Sequence, residues 1–257
     1  MTPSLVSRRT RSGRSRWMLV AALASIPLLL AACTPTPETH SLTDAESERL
    51  AVARFRNFDA GVRSIDVQLP ESSAGTITLT GWFDWANGAG YAAASNEDGS
   101  LGLVWWSEST IATREQPVDE PILPIPVDGW ASGPLDPANS SFTNILSVIV
   151  ALGSDRPENP LLLRQSDAAW LRTDTIGDLA VDVFAGPSGS TGDDSAGESG
   201  QAGDPQTAPR YWLDDTGLMH RVELRLGGSS EWTTVDFGSA DGVVIPPDVP
   251  GSETPDQ

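Results

Sequence analysis

Lysine is absent from this 257-residue sequence, cysteine occurs once and histidine twice. Without lysine there is no P-loop lysine and no Schiff-base chemistry, and the patterns G-x-x-x-x-G-K-[ST], H-E-x-x-H and G-x-S-x-G are all missing. A lone cysteine forms no intrachain disulfide and no Cys-based zinc site. Of the two imidazoles, His40 falls in a Pro/Thr-rich stretch, and His220 occupies a polar position of the alternating segment "MHRVEL". A Ser-His-acid nucleophilic site is therefore not expected, nor is any metal or cofactor.

Basic charge is carried by arginine alone and is distributed unevenly. Arg8, Arg9, Arg11, Arg14 and Arg16 precede the first acidic residue by a wide margin. From Cys33 onward, 11 arginines face 35 acids, a formal charge of −24, against −19 for the whole chain. Such a body is not expected to bind nucleic acid or to lie flat on anionic headgroups.

The basic start is followed by "WMLVAALASIPLLLAA", residues 17–32, an apolar run interrupted by Pro27. A membrane-spanning helix needs roughly 20 apolar residues, so this is the h-region of a secretory signal covering residues 1–32. Leu30-Ala31-Ala32-Cys33 resembles the lipobox of bacterial lipoproteins. That resemblance implies cleavage before Cys33, diacylglycerol on its sulfur, and an amine that can be acylated in turn. Palmitate-type chains would then hold the protein on the extracytoplasmic face of the cell membrane. Ser7-Arg8-Arg9 leaves both the general secretory and the twin-arginine export routes open.

Residues 33–41 read as a lipidated cysteine and a short linker, and residues 42–247 as one domain. Thr43-Asp44-Ala45-Glu46 is a capping box opening a helix with Ala51, Phe55 and Phe58 on its apolar face and Gly61 at its end. Period-two alternation then takes over. Ile65, Val67 and Leu69 share a face in "VRSIDVQL", as do Ile77, Leu79 and Phe83 in "TITLTGWFDW". "GYAAAS" and "LGLVWWS" flank the turn Asn96-Glu97-Asp98-Gly99, and "TIATRE" follows. Asp136-Pro137 reads as a helix start, with Phe142, Ile145, Leu146 and Ile149 on one face, and Asn159-Pro160 as a second, shorter one. Strands resume at "AAWLRTDTI" and "LAVDVFAG". Residues 186–208 are too polar to bury anything and are expected to be a disordered insertion. The hairpin series "RYWL", "LMHRVELRL", "EWTTVDFG" and "GVVIPP" closes the domain, and an acidic tail, residues 248–257, is expected to fray.

Two features could carry chemistry. Asp84, between Trp82 and Trp85, is the residue a glycoside hydrolase would use, although an acid at a strand end beside packing tryptophans explains it as well. Trp105 and Trp106 are adjacent in a strand and must point to opposite faces, so the sheet needs a cover on both sides or walls a cavity.

The series of helix, long meander, helical crossover and closing hairpins resembles the LolA/LolB-like superfamily, including actinobacterial lipoproteins of the LppX/LprG type. The residues that carry the resemblance are "RYWLDDTGLMHRVELRL", "TTVDFGSADGVVIPP" and "ITLTGWFDW". It implies an α+β fold in which an antiparallel, strongly curved sheet, an incomplete β-barrel, wraps over a few helices. It further implies a non-enzymatic envelope lipoprotein carrying an apolar or lipidic ligand in a half-barrel cavity. Ile77, Leu79, Phe83, Leu103, Trp105, Val222 and Leu224 are the residues expected to line it. Members of the MucB/RseB type instead bind protein partners, so a sensory or structural envelope protein with a filled barrel is the alternative.

Overall fold

One antiparallel sheet of twelve strands dominates the computed structural model, which describes residues 39–71, 75–188 and 208–252. In chain order the strands are β1 (His40–Ser41), β2 (Val62–Glu71), β3 (Gly75–Asp84), β4 (Ala89–Asn96), β5 (Gly99–Ser107) and β6 (Thr110–Arg114). They continue as β7 (Ala131–Pro134), β8 (Ala169–Ile176), β9 (Leu179–Ala185), β10 (Arg210–Leu213), β11 (Met219–Leu224) and β12 (Thr233–Ser239). In space their order is β1-β8-β9-β10-β11-β12-β2-β3-β4-β5-β6-β7. The curved sheet stays open, because β1 and β7 end it without pairing to each other. These edges are two and four residues long, too short to template pairing with another chain. The α+β, incomplete-barrel expectation holds.

Four helices pack on one face, called inner below: α1 (Asp44–Ala51), α2 (Ala53–Asp59), α3 (Ser141–Ala151) and α4 (Pro160–Gln165). The Thr43/Glu46 capping box forms as its sequence requires, with the Thr43 amide donating to Glu46 Oε2 at 2.8 Å. The helix it opens does not run straight to Gly61. It breaks at Val52, and the buried positions become Leu50, Ala51, Ala53 and Asn57, with Phe55 and Phe58 only half-buried. The α1 end is crowded by Gly217, whose φ of +83° suits glycine; a Cβ there would lie 2.7 Å from Val52 Cγ2 and 2.8 Å from Arg49 O.

Helix α3 starts later than its proline signal suggests. Ser140 is the N-cap, bonded reciprocally with Thr143, while Asp136 accepts the Ala138 amide in a preceding turn. Ile145, Leu146 and Ile149 are fully buried, each side chain contributing about 1.5–3 kcal/mol. They meet Ile65, Val67, Leu69, Leu79, Phe83 and Val235 of the sheet in the main core. Helix α4 begins as read, with the Asn159 side chain accepting the Leu161 amide.

A second layer lies on the outer face of β4–β6. There Ala89, Tyr91, Ala93, Leu103, Trp105, Ala112 and Ile245 are buried together under Val118, Ile122, Ile125, Trp130, Val243 and Val249. The cover is irregular chain: the Tyr91 hydroxyl donates to Ile122 O at 3.0 Å and Trp105 Nε1 to Pro246 O at 3.0 Å. "GVVIPP" is thus a strap over the sheet, not a strand; Val249 packs beside it, and residues 253–257 of the expected tail lie outside the described residues. A third, smaller cluster of Val181, Val183 and Trp212 occupies the outer face of β9 and β10.

Candidate functional site

Between the helices and the inner face of β10 and β11, the packing opens into a cavity of about 810 Å³. Small residues leave the space: Ala53 of α2, Ala151 of α3, and Gly227 and Gly228 of the turn after β11. Its wall is otherwise mainly apolar, built from Leu50, Val148, Leu152, Leu163, Val222 and Leu224.

A few polar groups interrupt that wall. Arg54 donates to Glu158 Oε1 at 3.3 Å and Gly153 O at 3.5 Å, while its buried Nε has no partner. Tyr211 projects from β10 and makes no hydrogen bond through its hydroxyl among the described residues. Burial, reinforced by nearby Glu158 and opposed by Arg54, pushes its pKa up to about 12, so it is a neutral donor at physiological pH. Apolar walls with a few convergent polar groups are the chemistry of an amphiphile site.

Of the seven residues expected to line a cavity, Ile77, Leu79, Phe83, Val222 and Leu224 share the inner core, and Val222 and Leu224 reach the cavity wall. Leu103 and Trp105 do not join them. They face outward into the second layer, and Val104 and Trp106 take the inner positions of β5. Both parities of "LVWW" are apolar, so alternation cannot choose between them. Leu50, Val148, Leu152, Leu163 and Tyr211 were not anticipated as lining. The apolar faces of their helices are visible in the sequence, but not which strands they cover.

The residues weighed for catalysis have structural tasks. Asp84 accepts the Ala86 and Asn87 amides at 3.0 and 3.2 Å and the Asn87 side chain at 2.7 Å, which fixes the β3–β4 turn. Its flanking tryptophans separate, Trp85 inward to donate to Ile149 O at 2.9 Å and Trp82 outward near Tyr91. His220 Nε2 lies 3.0 Å from Asp214, the residue that organises the β10–β11 turn. No group of three or more metal-ligating side chains occurs among the described residues. A shallower outer hollow of about 470 Å³ is lined by Asp66, Trp82, Glu120 and Asp236 among others. Asp66 already accepts from Thr80 and Gln68, and Asp236 from Arg221 at 2.6 and 3.0 Å. The signal segment 1–32, Cys33 with the linker up to residue 38, and residues 189–207 of the expected insertion lie outside the described residues.

No protein-family model matches the chain, and no curated protein matches it. Among solved structures it is similar to the lipoprotein LppX of Mycobacterium tuberculosis, at 12% identity and a TM-score of 0.42, covering 74% of this chain and 93% of that one. A putative outer membrane lipoprotein-sorting protein domain from Vibrio parahaemolyticus matches at 10% identity and a TM-score of 0.22, covering 77% and 89%. Both scores are low, and the fold described above stands on its own strand order and register.

Proposed function

We propose that this chain is a non-enzymatic envelope lipoprotein, anchored through lipid on Cys33, that binds a lipidic ligand between its helices and the inner sheet face. The observation that carries the ligand reading is the cavity itself. Its volume of about 810 Å³ falls within the roughly 300–1,000 Å³ of small-molecule sites, and its walls are more apolar than polar, with Arg54, Asn144, Ser147, Glu158, Tyr211 and Arg225 among them. The anchor reading is supported by the basic, apolar and small-residue order ending at Cys33. A tethered body of formal charge −24 is repelled as a whole by anionic headgroups.

Filling the cavity tests the ligand reading. Leu224→Trp and Val148→Trp place bulk on two walls, one from the sheet and one from a helix. Both variants should fold and lose binding of a fluorescent fatty-acyl probe; unchanged binding in both would exclude this cavity as the site. A second reading, capture of a protein partner, draws on Leu161 and Leu162 of α4, which are 54% and 62% exposed side by side.

A further inference from the structure

Four arginines and two tryptophans interleave along β8–β12 and the connection between β11 and β12. Arg172 and Arg221 lie over the Trp212 ring at 5.5 and 5.9 Å, and Arg210 and Arg225 over Trp232 at 4.2 and 4.4 Å. The first two are neutralised, Arg172 by Asp174 at 3.1 Å and Arg221 by Asp236 at 2.6 Å. The second two are compensated less fully. The acid near Arg210 is Glu223, at a loose 3.8 Å, and Arg225 has no ion pair and no hydrogen bond among the described residues. Both have a buried Nε without a partner, and the Arg210 side chain as a whole is 26% exposed. Burial holds the Arg210 pKa below its ordinary value and Glu223 opposes this, with the charges of Arg172 and Arg225 depressing it further. Two like charges held together over one indole, in a chain of net charge −19, form an arrangement that an anion would relieve.

Arg225 also belongs to the cavity rim, with Leu226, Gly227 and Gly228 of the same turn. We propose that Arg225 and Arg210, stacked on Trp232, bind the phosphate head of an anionic amphiphile whose acyl chains occupy the cavity. This rests on the cavity reading above and adds the class of head it selects. Guanidinium forks bind phosphate oxygens in a bidentate manner, and stacking on an aromatic ring fixes the fork beforehand. Arg54 and Tyr211 lie inside the chamber and are left to position the glyceryl or acyl ester region.

The test is native mass spectrometry of the full chain in a non-ionic, phosphate-free detergent. The ligands are dioleoyl phosphatidate, dioleoylglycerol with the same chains, and inorganic phosphate. Wild type should prefer phosphatidate over dioleoylglycerol by ~10-fold or more, the size of one or more charge-assisted hydrogen bonds. Arg225→Gln and Arg210→Gln, each checked for folding by circular dichroism, should each shrink that preference, weakening phosphatidate binding by more than dioleoylglycerol binding. Equal binding of both lipids by wild type, or an undiminished preference in both variants, overturns the head site while leaving the cavity in place. Inorganic phosphate bound as tightly as phosphatidate would make this a free-anion site and overturn the amphiphile. Binding of neither lipid would remove the cavity reading itself.

Discussion

Trp105 and Trp106 are chain neighbours buried in different layers of the protein. The Trp106 ring lies 5.6 Å from Phe83 in the helix-covered core, whereas Trp105 is held under the C-terminal strap by its bond to Pro246 O. Trp106 Nε1 is buried without a partner. Trp105→Phe should therefore cost about 1 kcal/mol more than Trp106→Phe, the net worth of one hydrogen bond, in urea unfolding. Equal losses would mean that the strap is not docked as described.

Two glycines in the strands serve close packing. A Cβ on Gly81 would lie 2.2 Å from Tyr91 O, and one on Gly90 would lie 2.4 Å from the Trp106 ring. Gly81→Ala and Gly90→Ala should each destabilise by about 1–3 kcal/mol or more, as overpacking does. Gly133→Ala, on edge strand β7 with nothing within 4 Å, should leave the thermal midpoint almost unchanged.

How far the sequence discloses this arrangement depends on contrast between the two faces of each strand. In β2, Ile65, Val67 and Leu69 alternate with Ser64, Asp66 and Gln68, and the inner face is legible. In β4 the inner positions are Gly90, Ala92 and Ala94 against outer Ala89, Tyr91 and Ala93, and in β5 both faces are large and apolar. The rule of alternation then carries no information, and nothing local in the sequence assigns Leu103 and Trp105 to the outer layer. Caps formed by Thr43 and Asn159 are local and readable; the Ser140 cap was masked by the stronger-looking Asp136-Pro137. The cavity is a property of four helices meeting two strands and leaves no local signature.

Arg63 is buried beneath α2 and ties three elements together. It donates to Asn57 Oδ1 at 2.9 Å and to Met219 O at 2.5 Å, and lies 5.3 Å from the centre of the Phe237 ring. Arg63→Ala would strand both acceptors and should cost about 1–3 kcal/mol for each, read as a lower urea midpoint. A loss within about 0.5 kcal/mol, ordinary for a surface site, would contradict this role.

Acid should unfold the protein partly through Asp214. Burial alone would raise its carboxyl pKa, but bonds from His220, the Thr216 hydroxyl and the Leu218 and Thr216 amides outweigh it and hold the pKa below its ordinary value. A depressed folded pKa stabilises above the unfolded pKa of about 3.9, and that contribution is lost as pH falls through the folded value. Asp214→Asn should therefore be less stable than wild type at pH 7, with the difference narrowing below about pH 4. A difference independent of pH would rule out the carboxylate charge as its source.

The central claim is that the cavity holds a lipid. The most direct measurement is the native mass of the protein purified from an envelope-bearing host, followed by organic extraction of whatever it carries. One co-purifying lipid per chain, absent from the Leu224→Trp variant, is the expected result. A clean apo mass, unchanged after incubation with envelope lipids, would contradict the account and turn attention to a protein partner.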